Sequence, residues 1–299
     1  MMGFFDKFRR KKQDNDDTTQ NQQRQTEPTA VTSQPSAFGY DHGAESTVQV
    51  QSDVPEETTM LLGFALLNSE AFDAARVIQI MHDHWGITIA DLQPDDNMVF
   101  ELAGMNVAIA HMPAVIPNRE VEENCKYNVL WPQAEQVVAT HQSHVIITVM
   151  GITDVLLGHA LFTQLTSSVL QLDNAIAYYA PPMVMSAEAY VESAEILKDQ
   201  ELPVQLWVFL GLYKTEDGSG SGAYTVGLKN FGKDELEIID SKQSIEDVFE
   251  FMMNIISYVV GSNVVLQDGE TLGYSEEQRL SLTKSPAVAM EGESIKIGF

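Results

Sequence analysis

The chain has 299 residues, of which 44% are hydrophobic, and a formal net charge of −26. This length allows one large or two ordinary domains with a real hydrophobic core. Residues 58–299 hold eleven basic and thirty-three acidic residues, and their net charge of −22 argues against nucleic-acid binding, because like charges repel over a Debye length of about 8 Å. A single cysteine, Cys125, excludes an internal disulfide and a cysteine-based zinc cluster, which suits a reducing compartment.

The first twelve residues, MMGFFDKFRRKK, are basic and aromatic in an otherwise acidic chain. Met1, Phe4, Phe5 and Phe8 have the spacing of one helix face, and five cations accompany them. Such a segment can place its aromatic side chains among lipid headgroups, where each cation near anionic lipid contributes about 1 kcal/mol. It can equally dock on a partner protein, or be a frayed start that aids solubility. The residues predicted to contact a membrane or a partner are Phe4, Phe5, Lys7, Phe8, Arg9, Arg10, Lys11 and Lys12.

Residues 13–57 are rich in Gln, Thr, Ser, Asp and Pro and lack a periodic apolar pattern, so they are predicted to be a disordered linker. The globular body is predicted to cover residues 58–299. The sequence shows neither a secretory signal nor an uninterrupted apolar stretch of about 18 residues. We therefore expect a cytoplasmic protein, or one held peripherally at the inner face of the membrane by residues 1–12.

The first half of the body alternates strand and helix signals. The predicted elements are a strand at 59–67, a helix capped by Asn68 or Ser69 and reaching Trp85, strands at 98–102 and 106–112, a helix over 131–141 and a strand at 144–151. The order strand, helix, strand, strand, helix, strand is typical of a ferredoxin-like split βαβ unit.

The same order recurs in the second half. The predicted elements are a helix over 153–170, a strand at 175–180, a helix capped by Ser186, strands at 204–213 and 223–228, a helix capped by Ser244, a strand at 263–267, and two or three strands within 271–299. Short matches recur at offsets of 118 and 119 residues, as in SEAF (69–72) and AEAY (187–190). We therefore predict an α+β fold that arose by tandem duplication of a ferredoxin-like βαββαβ unit. Its parts would be a first repeat at 58–152, a connecting helix within 153–174, and a second repeat with extra C-terminal strands at 175–299.

The histidines do not form a metal-binding pattern. In a split βαβ unit, His82, His84 and His111 are expected near one end of the sheet, and His141 and His144 near the other. A metal site needs three or four convergent ligands, so polar turns explain these residues better, and no metal site is predicted.

Cys125 and the glycine-rich loop also have structural explanations. Cys125 lies in NREVEENCKYNVLWP, where acidic residues outnumber basic ones, whereas a catalytic thiol needs positive charge and a histidine base. The glycines of DGSGSG (217–222) join two predicted strands, while a phosphate-binding loop opens into a helix. No cofactor is therefore predicted.

Two stretches carry a family resemblance: SAEAYVESAEILKDQELPVQLWVFLGLYKTEDGSGSGAYTVGLKNFGKDELEI (186–238) and DGETLGYSEEQRLSLTKSPAVAMEGESIKIGF (268–299). Because they contain the phrases LPV-x-LW and GLY…YT-x-GL…FG…ELEI, these stretches resemble a bacterial family described only as a domain of unknown function. The resemblance covers about residues 60–299. The resemblance implies no agreed activity, cofactor or catalytic residue. It implies accessory or immunity-like roles beside contact-dependent toxins or secretion machinery.

Taken together, these features favour a non-catalytic interaction protein, whose acidic body on a tether prefers a basic protein partner. The alternative is a hydrolase-type enzyme with its site between the repeats, in which two of Cys125, His111, His141 and His144 lie within hydrogen-bond distance. A third possibility is a structural part of a larger assembly, which predicts a broad apolar patch on the folded surface.

Overall fold

The described part of the chain has an α+β fold. A computed structural model of the protein describes residues 60–126, 128–215, 218–273 and 279–299. The predicted segments 1–12 and 13–57 lie outside these residues. The α-helices in the described ranges are α1 (Ala74–Trp85), α2 (Glu120–Cys125), α3 (Ala134–Val138), α4 (Val155–Leu170), α5 (Ala187–Ala194), α6 (Val204–Trp207) and α7 (Ile245–Gly261). None of these helices has both the length and the hydropathy needed to cross a membrane.

The first of two sheets is antiparallel. Its strands are β1 (Met60–Leu67), β2 (Asn97–Leu102), β3 (Met105–Met112), β4 (Ser143–Met150), β5 (Ala175–Ala180) and β6 (Met183–Ser186). They lie in the order β2-β3-β4-β1-β5-β6, and each strand is antiparallel to its neighbours. β1 is central, with Met60 opposite Met150 of β4 and Phe64 opposite Tyr179 of β5.

The predicted tandem duplication of a ferredoxin-like unit is not confirmed. A βαβ unit joins two parallel strands through a helix, but β1 and β2 are antiparallel here, because three successive antiparallel pairings separate them. β5, which was expected to begin the second repeat, pairs with β1 in the first sheet. The strands of the first half lie in the predicted order along the chain, but the helices differ: α1 begins after Asp73 instead of Asn68 or Ser69, and the short helix α3, preceded by α2, stands where one helix over 131–141 was predicted. The strand pairing differs as well, because pairing depends on contacts distant in sequence.

One face of the first sheet is buried beneath helices. α4 contacts β1, β4 and β5, and α1 packs beside it. Every residue of α4 from Leu157 to Leu170 is buried. Gly63 of β1 permits this close approach, because a Cβ there would lie 2.7 Å from the ring of Tyr178 and 2.9 Å from that of Phe162.

The second sheet contains the C-terminal strands. The remaining strands are β7 (Phe209–Lys214), β8 (Ser221–Val226), β9 (Glu235–Ser241), β10 (Thr271–Gly273), β11 (Arg279–Pro286) and β12 (Glu293–Ile297). The order β11-β12-β9-β8-β7 includes one parallel pair, β12 with β9. α7 packs against β7 and β8. Residues 271–280, which include β10, belong to a different compact unit from the other described residues.

Two predicted strands differ in the structure. The stretch 204–213 begins as helix α6, and its strand starts at Phe209. Pro203 is the N-cap residue of this helical turn, and its carbonyl accepts the N–H of Leu206 at 2.8 Å. Residues 263–267, predicted as a strand, are irregular.

A buried carboxylate holds the last strands of the second sheet together. Glu237 of β9 is 1% exposed, and its side chain lies 2.8 Å from Lys296 Nζ. The N–H of Ala289 and the hydroxyl of Ser294 each donate to it at 2.7 Å. Burial raises the pKa of Glu237, but these hydrogen bonds outweigh burial, so the pKa is lowered overall.

The substitution Glu237→Gln is expected to lower the free energy of unfolding by about 3 kcal/mol at neutral pH, because Lys296 loses its buried counter-charge. Since the folded-state pKa of Glu237 is lowered, its contribution is present above the unfolded pKa of about 4.3 and disappears as the pH falls through the folded value. The difference between the variant and the wild type should therefore shrink in acid. Urea unfolding followed by circular dichroism, at neutral pH and at about pH 3, measures the difference in free energy of unfolding between the variant and the wild type.

The control for this measurement is Asp240→Asn, since Asp240 pairs with Lys242 on the surface at 2.8 Å. Its effect should stay below about 0.5 kcal/mol. An equal loss of stability for Glu237→Gln at both pH values would contradict the role of the charged carboxylate.

Candidate docking surface

The second face of the first sheet is covered only in part. At one end, Leu66 and Tyr179 are buried in an apolar cluster with Val121 of α2 and Val138 of α3. α2 and α3 lie against β6, and α3 also lies against β5. The two short helices thus cover the β5–β6 side of this face and leave large apolar side chains exposed elsewhere on it.

We call the exposed part the open face and define it by five apolar side chains. These are Met60 (51% exposed), Leu62 (42%), Val99 (72%), Met112 (41%) and Met150 (36%). Residues that pair across neighbouring strands point to the same side of the sheet. Met60 pairs with Met150 and Leu62 pairs with Thr148, while Thr148 and Val99 both pair with Ala108. These side chains therefore lie on one side. Since alternate residues of a strand share a face, Met112 belongs to the same side. Exposed apolar clusters of this kind mark interaction sites.

The open face has no cationic residue among its strands. Apart from two histidines, Glu101 is the one ionisable residue in β1, β2, β3 and β4. Glu101 lies opposite Asn106 in the β2–β3 pairing, and the exposed Asp95 and Asp96 directly precede β2. The surface is therefore apolar at its centre, and the charges beside it are negative.

The histidines are grouped differently from the prediction. His141 and His111 each lie close enough to His144 to add to the lowering of its pKa by burial. His111 is there because the end of β3 pairs with the start of antiparallel β4. His111 and His144 occupy opposite faces of the sheet. The ring of His111 stacks on Phe72 at 5.3 Å, and that of His144 lies 5.9 Å from Phe64.

Backbone groups bind two of these histidines. His141 Nε2 accepts the N–H of Ile116 at 3.0 Å, and its Nδ1 donates to the carbonyl of Val138 at 2.6 Å. His144 Nδ1 donates to the carbonyl of Ala114 at 2.8 Å. Burial lowers the pKa of His144. Both ring nitrogens of His141 are thus engaged by backbone groups, which suits a structural role better than proton transfer.

Cys125 is a buried thiol in the apolar cluster under α2. Burial, with smaller contributions from Glu135 and Glu122, raises the pKa of Cys125 to about 11. In the described residues no hydrogen bond joins this thiol to His111, His141 or His144. A thiol with this pKa is protonated at neutral pH and is a poor nucleophile.

A separate cluster of ionisable groups ties α1 to the turn after α5. His84 Nε2 lies 2.5 Å from Glu195 Oε1, and Lys198 Nζ lies 2.6 Å from Glu195 Oε2. Lys198 Nζ also lies 5.3 Å from the ring centre of Trp85. Burial raises the pKa of Glu195, but Lys198 and His84 outweigh burial and lower it overall. The sequence offered no signal for this contact, because 111 residues separate its partners.

The remaining predicted site residues are those of the N-terminal segment. Phe4, Phe5, Lys7, Phe8, Arg9, Arg10, Lys11 and Lys12 lie outside the described residues. Within the described ranges, no group of three or more His, Cys, Asp or Glu residues could hold a metal ion.

A comparison with protein families matches the C-terminal part of the chain. Residues 224–298 match DUF4261, a domain of unknown function. The predicted resemblance to an uncharacterised family is thus confirmed for this stretch. It contains β9, α7 and β12, whereas the residues of the open face lie outside it. No curated protein and no solved structure matched the chain.

Cys125 in the native chain is expected to react with a thiol-modifying reagent at about pH 8 at least ~100-fold more slowly than in urea. The rise of its pKa from 9.0 to about 11 reduces the thiolate fraction by about that factor. Alkylation followed by mass spectrometry measures both rates. Rapid native reaction with an apparent pKa below about 8 would instead indicate an activated thiol and favour the hydrolase hypothesis.

Proposed function

We propose that the protein is a non-catalytic interaction protein that binds a protein partner through the open face of its first sheet. The observation that carries this proposal is the set of five large apolar side chains, 36–72% exposed, on one side of β1, β2, β3 and β4. A monomeric surface rarely groups so many large apolar side chains together.

The energetics indicate what kind of partner fits. Covering five half-exposed apolar side chains contributes about 1 kcal/mol each, and association costs about 4–15 kcal/mol in lost freedom. The open face therefore supplies the apolar centre of an interface and needs charged contacts around it. Glu101, Asp95 and Asp96, with the net charge of −22 over residues 58–299, favour a partner that brings positive charge.

The hydrolase alternative receives less support from the geometry. His141 is bound through both nitrogens to backbone groups, and the pKa of Cys125 is raised to about 11. A non-catalytic role also agrees with the accessory function that the family resemblance implies. The N-terminal segment as an anchor at the inner membrane face stays a prediction.

The substitution Leu62→Asp in the full chain is expected to weaken partner binding at least ~30-fold, because the introduced carboxylate would lose its hydration in an apolar interface. The matched control is Val265→Asp, which places the same charge at another exposed apolar residue, 50% accessible and outside the first sheet. Capture from the native cells identifies proteins lost with Leu62→Asp and retained with Val265→Asp. Titration of each purified candidate then gives its affinity for the wild type, for Leu62→Asp and for Val265→Asp.

A partner that binds the wild type and Val265→Asp equally but loses affinity for Leu62→Asp supports the proposal. Equal binding to all three chains would place the binding site elsewhere and contradict it. Circular dichroism of Leu62→Asp excludes loss of folding as the cause.

A further inference from the structure

Part of the backbone at one edge of the first sheet has no partner within the sheet. β2 is the outermost strand beside β3, and the N–H of His111 in β3 donates at 2.7 Å to the carbonyl of Asp96, directly before β2. Hydrogen bonding alternates along an antiparallel edge strand, so every second residue from Asp96 bonds β3. The N–H and C=O groups of Val99 and Glu101 therefore point away from the sheet, and none of the described residues bonds them.

The opposite edge of this sheet is closed. β6 has only four residues, α2 and α3 lie against it, and Asn128 Nδ2 donates to the carbonyl of Val184 at 2.9 Å. By contrast, β2 has six residues, all paired with β3 in an unbroken register, and contains neither proline nor lysine. Sheet edges are usually protected by short strands, bulges, proline, lysine or a covering element. β2 is therefore the edge to which another strand can add.

The free backbone groups of β2 lie beside the open face. Val99 and Glu101 share one side of the strand, and Val99, at 72% exposure, is the most exposed of the side chains that define the open face. An added strand would place its own alternate side chains, about 7 Å apart, next to these two. One neighbour would extend the apolar centre at Val99, and the other would meet the carboxylate of Glu101. Backbone bonding combined with such side-chain contacts is how proteins recognise an added strand.

The charges near this edge indicate the kind of strand that fits. Residues 86–118 include four exposed acidic residues, Asp91, Asp95, Asp96 and Glu101, and no lysine or arginine. A second copy joined edge to edge would bring these carboxylates together, and like charges across paired strands are destabilising. A strand with cations at alternate positions is complementary to β2 instead.

We propose that the partner adds an extended strand to β2, with lysine or arginine on either side of an apolar residue. The added strand runs antiparallel, as every other pairing in this sheet does, and forms four hydrogen bonds with the backbone of Val99 and Glu101. Its apolar side chain packs against Val99, one cation faces Glu101, and the other faces Asp95. This inference rests on the proposed function, because it names the class of partner for the open face.

Amide hydrogen exchange in the full chain, measured by NMR, tests this pairing with a synthetic peptide. The probe is acetylated and amidated Thr-Lys-Thr-Val-Thr-Lys-Thr, whose valine can lie opposite Val99 with a lysine opposite Glu101. We expect an affinity of about 1 mM, since so short a strand loses its freedom on binding. At about 5 mM peptide, exchange of these two amides should slow about sixfold, because only the unbound chain exchanges. The amide of Val184, at the closed edge, should not change.

Three altered peptides separate backbone pairing from simple charge attraction. N-methylation of the valine and both lysines removes the donors that face β2, and should abolish the slowing. N-methylation of the two central threonines alters nitrogens that face away, and should leave the slowing unchanged. A peptide with glutamate in place of both lysines should have no effect, because it meets charges of its own sign.

The substitution Glu101→Lys tests the charge of the edge in the protein. It should reduce the slowing by the lysine peptide to below about twofold. Its matched control is Glu250→Lys, which reverses an exposed charge on α7 and should retain the full effect. The amide of Phe100, which bonds β3, reports whether β2 is intact in each variant. Loss of the effect in Glu101→Lys alone, together with the expected peptide pattern, supports the proposal.

Four results would overturn the proposal. Slow exchange of Val99 and Glu101 in the peptide-free chain would show that the edge is already paired, within the chain or with a second copy. No slowing at about 5 mM peptide, or equal slowing by the valine- and lysine-methylated peptide, would exclude strand addition. Equal slowing in Glu101→Lys would exclude selection by charge. In each case, a partner lost on Leu62→Asp and retained on Val265→Asp would still support the proposed function, so the two proposals fail separately.

Discussion

Helix α4 is enclosed by protein on all sides, and the arrangement of the first sheet depends on this. The sheet, α1 and α5 all contact it, and even its polar side chains are buried. Some of these find partners inside: the Thr163 hydroxyl accepts the ring N–H of Trp207 at 2.9 Å, and Ser168 donates to the carbonyl of Gln164 at 2.8 Å. Because α4 covers one face of the sheet, that face is buried. The other face must be covered by other elements or stay exposed to solvent.

The open face results from a difference in length between helices and strands. α2 has six residues and α3 has five, which gives helices about 9 Å and 8 Å long. β1, β3 and β4 have eight residues each, which gives strands about 26 Å long. Two such helices beside β5 and β6 cannot cover the sheet from β2 to β4. The exposed methionines are thus a consequence of the topology rather than of a few unusual surface substitutions.

Local signals in the sequence predicted the elements well, and distant contacts were the main source of error. The strand predicted at 59–67 is confirmed over Met60–Leu67, and the helix predicted over 153–170 is confirmed as Val155–Leu170. The caps Ser186 and Ser244 are also confirmed, since each of these features depends on neighbouring residues. The strand pairing and the grouping of the histidines were wrong because both depend on which strands meet. The open face was missed for a related reason: MLLGFALL has apolar residues on both sides, which predicts burial on both, and only the sheet order shows that one side is uncovered.

The position of β12 has a consequence for the synthesis of the protein. β12 lies between β9 and β11, yet Ser294 follows its hydrogen-bond partner Glu237 by 57 residues. Translation at about 5–20 residues per second needs several seconds to cover that distance. During this interval β9 presents an unpaired edge and a carboxylate without its lysine partner. The strand order of the second sheet is therefore incomplete until residues 293–297 leave the ribosome.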